Sequence, residues 1–258
     1  MGNFLKFDCV SWVIFFLLGS SACLADNHAT WGEGSPVEMF SCDYVKSRDS
    51  EKELAKFIPD WNQWADEAGI SKYSAQLMTT LTSDGEYTQD FLWLGYWPDY
   101  DSSGTEAQIS LDQGGEIRQK AKRFLENCSH STYAGWTTYM PKNDWVTSDH
   151  ITTFSNCSYK EGYGDDQLLE ANLKFKTFLE ENDAERGMVQ LWPIAGESLE
   201  INWDFKFVNG FPSLKAYHTA MGERVNGELG EIVWDSYGDI LDCDSTRVYH
   251  SKIIRTAN

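Results

Sequence analysis

Asp90-Phe91-Leu92-Trp93-Leu94 is followed 114 residues later by Asp204-Phe205-Lys206-Phe207-Val208. Both runs begin on Asp and carry large apolar side chains suited to a buried strand. The same offset of 114 carries Leu54 onto Leu168, Gln76 onto Gln190, Leu77 onto Leu191 and Pro98 onto Pro212. An offset of 115 carries Cys42 onto Cys157, Tyr44 onto Tyr159, Gly115 onto Gly230, Ile117 onto Ile232 and Cys128 onto Cys243. The offset slips by one between Tyr44 and Leu54 and recovers between Pro98 and Gly115, where loops are expected. Matches that keep chain order imply a duplicated unit.

Each half reads as strand, helix, strand, strand, helix, strand. In the first half Val37 to Cys42 is strand-like. Leu54, Phe57, Ile58, Trp61, Trp64, Ala65 and Ala68 then form a stripe of helical period. Pro59 either starts that helix or kinks it, and Gly69 stops it. Two runs, Tyr73 to Leu81 and Tyr87 to Trp97, flank the turn Ser83-Asp84-Gly85. A loop rich in Asp, Ser and Gly leads to a helical region broken near Gly114-Gly115 and ending at Cys128. Ser131 to Tyr139 is the last strand. The second half repeats this order: Ile151 to Tyr159, a stripe from Leu168 to Leu179, Met188 to Ile194, Leu199 to Val208, a mostly helical Leu214 to Leu241, and Thr246 to Ile254. The expected architecture is α+β: two ferredoxin-like βαββαβ repeats, 37–140 and 151–258, joined by a linker at 141–150.

A four-stranded sheet with both helices on one face leaves its other face bare. Phe91, Trp93, Phe205 and Phe207 are the side chains expected there, and the partner sheet is the obvious cover. The run Phe207-Val208-Asn209-Gly210-Phe211-Pro212-Ser213-Leu214-Lys215-Ala216-Tyr217-His218 resembles the passage from third strand to second helix in the dimeric α/β-barrel superfamily. The chain looks like a tandem-duplicated, secreted form of it. The resemblance implies a pseudo-dimeric barrel, a monomer carrying its own partner, and a cavity between the sheets. It also brings in cofactor-independent monooxygenases, isomerases and haem-binding enzymes as relatives, among which a shared fold does not choose.

The ends and the composition bound the setting. Lys6, the apolar run Val10 to Leu18 and the small residues up to Ala25 read as a cleaved export signal, 1–25, followed by an extension, 26–36. A lipoprotein reading would cleave at Cys23, but Ser20 stands where Leu is wanted. Four cysteines remain after cleavage, which implies disulfides in an exported chain, periplasmic or secreted. The spacing of 86 from Cys42 to Cys128 recurs from Cys157 to Cys243, so the duplication selects those two pairs. Each closes a loop worth roughly 4 kcal/mol on the chain-entropy view. A net charge of −19 disfavours nucleic acid and anionic membranes, which attract positive surfaces.

Few residues announce chemistry. His218, near a helix start beside Tyr217, is the one candidate catalytic residue, for acid–base work or haem ligation; an exposed helix position is the plainer reading. No distal Arg or His accompanies it, so no cofactor is expected. Gln76 and Gln190, polar and repeated inside apolar strands, are candidate ligand-binding residues with Trp93 and Phe207. Asp90 and Asp204 recur similarly but read as strand-start caps. Asp99, Asp101, Ser103 and Gly104 start like a calcium loop, yet Ser110 stands where the closing Glu belongs, and no metal site is expected. The functional expectation is a small apolar or aromatic ligand held between the sheets, with a monooxygenase- or isomerase-type enzyme as the alternative.

Overall fold

The structure, a computed structural model, describes residues 32–83, 89–142, 148–198 and 200–257. The expected leader, Asp84 and Gly85 of the expected turn, and 143–147 of the expected linker lie outside them. The first half runs β1 (Ser35–Tyr44), α1 (Ser50–Ala68), β2 (Ser74–Thr82), β3 (Phe91–Tyr96), α2 (Tyr100–Gln113), α3 (Gly115–Ala121) and β4 (Leu125–Tyr139). The second runs β5 (His150–Tyr159), α4 (Asp165–Glu181), β6 (Gly187–Ala195), β7 (Phe205–Phe211), α5 (Leu214–Asn226) and α6 (Glu228–Val233). A π turn (Trp234–Gly238), β8 (Leu241–Cys243) and β9 (Arg247–Arg255) complete it.

Local chemistry sets the helix ends. Asp49 caps α1 by accepting the Lys52 N–H, and Gly69, at φ 81°, closes it in the left-handed region that glycine tolerates. Pro59 lies inside α1 rather than at its start. Asp99 accepts the Ser102 amide at 2.7 Å and its hydroxyl at 3.0 Å. The Asp/Ser/Gly segment after Pro98 is therefore the capped first turn of α2, not a loop. The helical region before Cys128 is also shorter than expected. It stops at Ala121, because β4 pairs with β1 from Ser35↔Gly135 as far as Tyr44↔Leu125 and draws Cys128 into the strand. The disulfides are Cys42–Cys128 and Cys157–Cys243, as the duplicated spacing predicts.

Eight antiparallel strands close into a barrel. β4-β1-β3-β2 follow one another in the first half and β9-β5-β7-β6 in the second. β2–β9 and β4–β6 join the halves edge to edge, leaving no open edge in the ring. Short β8 extends the β9 side of β5. Asp90 and Asp204 tie strand to strand, accepting the amides of Tyr44 and Tyr159 at 3.0 and 2.8 Å.

The barrel interior is filled by side chains from all eight strands. Val37, Met78, Leu94, Tyr133, Phe154, Leu191, Val208 and Tyr249 form one buried cluster. This overturns the expected facing of the opening runs. Phe91 and Trp93 pack outward with Phe57 and Ala65 of α1, and Phe205 and Phe207 pack outward against α4 and α6. Their alternate neighbours Leu92, Leu94 and Val208 turn inward instead. Both faces of these strands are buried, so an apolar run gives no sign of which face is which.

Lys206 is the odd member of the interior. Its strand register sets it opposite Leu191 and Asn156. Its ammonium donates to Asn156 Oδ1 at 3.1 Å and sits 3.9 Å from the Trp203 ring centroid. Burial pushes its pKa down to about 8. The unfolded chain therefore binds more protons between pH 8 and the ordinary lysine value, and stability rises with pH across that window. The Lys206 ammonium also faces Glu197 at 3.9 Å, so Lys206→Met, which orphans that carboxylate, is expected to add no stability at pH 7 and to remove that rise. Denaturant melts at pH 7 and pH 10 check both.

Candidate functional site

The outer face of β5 and β7 does not pack fully against the helices above it. A half-open cavity of about 540 Å³ remains there. Strand alternation brings Thr153, Ser155, Phe207, Asn209 and Phe211 to its floor. Tyr217, Met221 and Arg224 of α5 form the roof, and Trp234 and Tyr237 of the π turn form a wall with Phe175 of α4.

Two glycines shape this wall. A Cβ at Gly230 would come within 2.0 Å of the Arg224 carbonyl oxygen, so glycine lets α6 press on the end of α5. A Cβ at Gly238 would meet the Trp234 ring at 2.7 Å. The indole lies over the glycine and remains 68% exposed at the mouth. One residue inserted into a helical turn is the form such bulges take, often at functional sites. Tyr237 is buried within it; its hydroxyl donates to Asn172 Oδ1 at 3.0 Å, and burial raises its pKa. Its ring meets Phe175 and Phe207 edge-on, with centroids 5.6 and 5.4 Å away.

The charged group of the site is Arg186, just before β6. It is only 9% exposed. Its guanidinium lies 5.4 Å from the Phe175 centroid and 5.3 Å from that of Phe211, in cation–π range. Its Nη2 donates to Asn209 Oδ1. Nε has no hydrogen-bond partner among the described residues. Burial, opposed by Tyr237 and assisted by the neighbouring Arg224, pushes its pKa down to about 10. Arg186 also lines a second cavity, of about 580 Å³, between α4 and α5. Rim carboxylates are engaged elsewhere: Asp242 faces Lys160 at 3.6 Å, and Asp244 accepts from Arg247 at 2.6 Å.

The candidates from sequence are scattered. Phe207 lines the cavity, but on the helix side of the sheet. Trp93 lies in the first half's helix-facing core, donating to the Tyr73 hydroxyl at 2.8 Å. Gln76 is buried opposite Leu94 and faces the barrel interior. Gln190 faces α4, where its amide and that of Asn172 exchange two hydrogen bonds, at 3.3 and 3.1 Å. The two glutamines therefore do not share a cavity. His218 is exposed and absent from the lining of either cavity, although its neighbour Tyr217 is part of both the α5 roof and a ring contact with it at 5.2 Å. Arg186 went unnoticed in the sequence. Its signal was a lone Arg at a strand start, whose isolation from carboxylates only the fold makes visible.

The corresponding layer of the first half is packed with aromatic rings. Trp61 meets Trp93 at 4.9 Å and Tyr73 at 5.7 Å, and Tyr73 meets Trp97 at 4.5 Å. The Tyr73 hydroxyl donates to Glu38 at 2.6 Å, and Glu38 in turn holds His130 at 2.9 Å. Glu106 accepts from the amides of Ser71 and Lys72 and from the Trp97 indole. Similar architecture thus carries different contents in the two halves.

No protein-family model matches the chain, and no curated protein matches it. Solved structures do. A proposed monooxygenase from Lactobacillus acidophilus NCFM is 9% identical with a TM-score of 0.54, over 87% of this chain and 96% of that one. A proposed monooxygenase from Fusobacterium nucleatum is 10% identical with a TM-score of 0.53, over 88% and 95%. An anthrone oxidase-like protein is 10% identical with a TM-score of 0.52, over 89% and 97%. These are dimeric α/β-barrel proteins. At such identities the likeness is one of fold alone.

Proposed function

We propose that this protein binds a small aromatic molecule in the cavity between the second sheet and its helices. The observation that carries the reading is the cavity itself, about 540 Å³ and walled by Phe175, Phe207, Phe211, Tyr217 and Tyr237. Ligand sites of this size, mostly apolar with a few polar groups, are the usual form of small-molecule recognition. The site lies outside the barrel, because the space between the sheets is occupied by side chains. The equal strand orders and the matched disulfides support two βαββαβ repeats, 37–140 and 151–258, acting as an internal pseudo-dimer, with only the second keeping the site. A monomer exported by the 1–25 leader is the accompanying proposal, supported by the disulfides; no helix among the described residues is long and apolar enough to cross a membrane.

Calorimetric titration with 2-naphthamide, a neutral two-ring probe, tests the binding reading. Micromolar binding is expected, weakened at least tenfold by Met221→Trp, which fills the roof of the cavity. No binding, or binding indifferent to Met221→Trp, overturns it. A second reading, favoured by the fold shared with proposed monooxygenases and an anthrone oxidase-like protein, is oxygenation of the bound aromatic. One atom of dioxygen would enter the substrate carbon as a carbonyl and the other would leave as water. Dioxygen uptake with anthrone as substrate tests it; no uptake above the protein-free rate rejects it.

A further inference from the structure

We infer that the ligand of this cavity is an anion, an aromatic carboxylate whose charge pairs with the guanidinium of Arg186. The inference rests on the binding reading above and narrows it to a substrate class.

A guanidinium remains charged at any ordinary pH and is costly to bury without a partner. Buried arginines are therefore usually paired with carboxylate or phosphate. Arg186 is not: among the described residues no ion pair reaches it, its one hydrogen-bond acceptor is the neutral amide of Asn209, and its Nε has none. Arg224 at the roof of the cavity has the same sign, and Asp183, Glu185, Glu223 and Glu228, which line the second cavity with Arg186, form no ion pair with it. Phe175 and Phe211 hold the guanidinium at their ring faces. That contact offsets part of the burial cost and fixes orientation, but it supplies no counter-charge.

The setting also excludes simpler roles. A structural arginine would be expected to face a carboxylate, and this chain has 40 of them against 21 Lys and Arg. In so acidic a protein, a buried cation that no carboxylate among the described residues pairs with lies at a rare place where an anion is attracted. Nor is Arg186 sealed in the core: it belongs to the lining of both cavities of the second half. The aromatic walls select a flat ring, and the buried guanidinium of Arg186, with Arg224 at the roof, selects the charge it carries. A two- or three-ring acid fits the volume.

The test compares 2-naphthoate with 2-naphthamide, which share shape and differ in charge, on the full-length mature protein by calorimetry at low salt. Naphthoate is expected to bind at least about tenfold more tightly, with the advantage falling as salt rises. Arg186→Met is expected to abolish that advantage, bringing the affinities of the two probes to within about twofold of each other. Its fold is checked by thermal melting, and loss of an unpaired buried charge predicts no fall in melting temperature. The comparison on the unaltered protein stands whether or not the variant folds. Equal affinity for the two probes overturns the anion inference while leaving the binding reading intact. Preference for naphthoate that survives in a folded Arg186→Met places the charge recognition elsewhere and also overturns it. Failure of both probes to bind removes the binding reading, and the inference falls with it.

Discussion

Gly95→Ala is expected to destabilise the protein by about 3 kcal/mol. Gly95 is in β3, opposite Glu38 of β1 and Ala75 of β2. A Cβ there would lie 1.9 Å from the Tyr73 hydroxyl and 2.3 Å from the ring carbon Cζ that bears it. Tyr73 cannot step aside cheaply. It is 4% exposed, donates to Glu38, accepts from Trp93 and is packed against Trp61 and Trp97. Displacing it leaves a buried carboxylate oxygen and an indole N–H to find new partners, and each orphaned group costs further. The glycine thus sustains the first half's closed core through close approach, not through backbone freedom. Equilibrium denaturation measures the loss. Tyr73→Phe is not expected to rescue it, because the ring carbon clashes as well as the oxygen. Rescue by Phe, or a loss below about 1 kcal/mol, would show that the ring moves freely.

What could be read from the sequence, and what could not, divides by the range of the interaction. The disulfides followed from spacing, because a separation of 86 residues recurs in the two pairs. Asp90 and Asp204 were legible as strand-start residues satisfied by backbone, although the amides they accept from, those of Tyr44 and Tyr159, belong to the neighbouring strands and are distant in the chain. The succession of strands and helices along the chain followed from hydrophobic periodicity. Facing did not. Phe91-Leu92-Trp93-Leu94 is apolar on both faces, so only the helices that arrive to cover it decide which side is outer. Gln76 and Gln190 show the same limit: they match at one offset, yet one faces the barrel interior and the other an α4 asparagine. The length of β4 was missed because its start, Leu125-Glu126-Asn127-Cys128, follows a helix and has no alternating pattern to announce it. The cavity was placed between the sheets on the strength of a resemblance; eight inward side chains cluster there, and the cavity of about 540 Å³ lies on the outer face of β5 and β7. Arg186 was invisible for the opposite reason. Nothing local distinguishes a strand-start arginine that meets a carboxylate from one that does not, and the difference lies in Phe175 of α4 and in Asn209 and Phe211 of β7, brought from two other elements.

Expressed alone, residues 32–142 and 148–257 are expected to fail as stable monomers, whereas the full chain unfolds in one transition. The seams are strand pairings. β2–β9 runs from Ala75↔Arg255 to Thr82↔Val248, and β4–β6 from Thr132↔Ala195 to Tyr139↔Met188. Cutting the chain exposes two long unpaired edges on each piece, templates for association with other chains. It also opens the interior. Val37, Met78, Leu94 and Tyr133 come from one half, and Phe154, Leu191, Val208 and Tyr249 from the other. Each buried side chain contributes roughly 1.5–3 kcal/mol, so uncovering the four of one half costs about as much as the roughly 5–15 kcal/mol by which a typical domain is stable. Arg255 adds a specific bond across the same seam, its guanidinium donating to the Ile70 carbonyl and lying 2.8 Å from Asp66. The intact disulfide in each piece constrains its own half and cannot replace the missing strands. Size-exclusion chromatography with circular dichroism distinguishes the outcomes. Aggregated, unfolded or self-paired dimeric pieces fit a shared barrel, a dimer restoring the ring with two copies of one half. Two monomeric pieces that each melt as cooperatively as the full chain would mean that the seams contribute little, and that the barrel is two domains in contact.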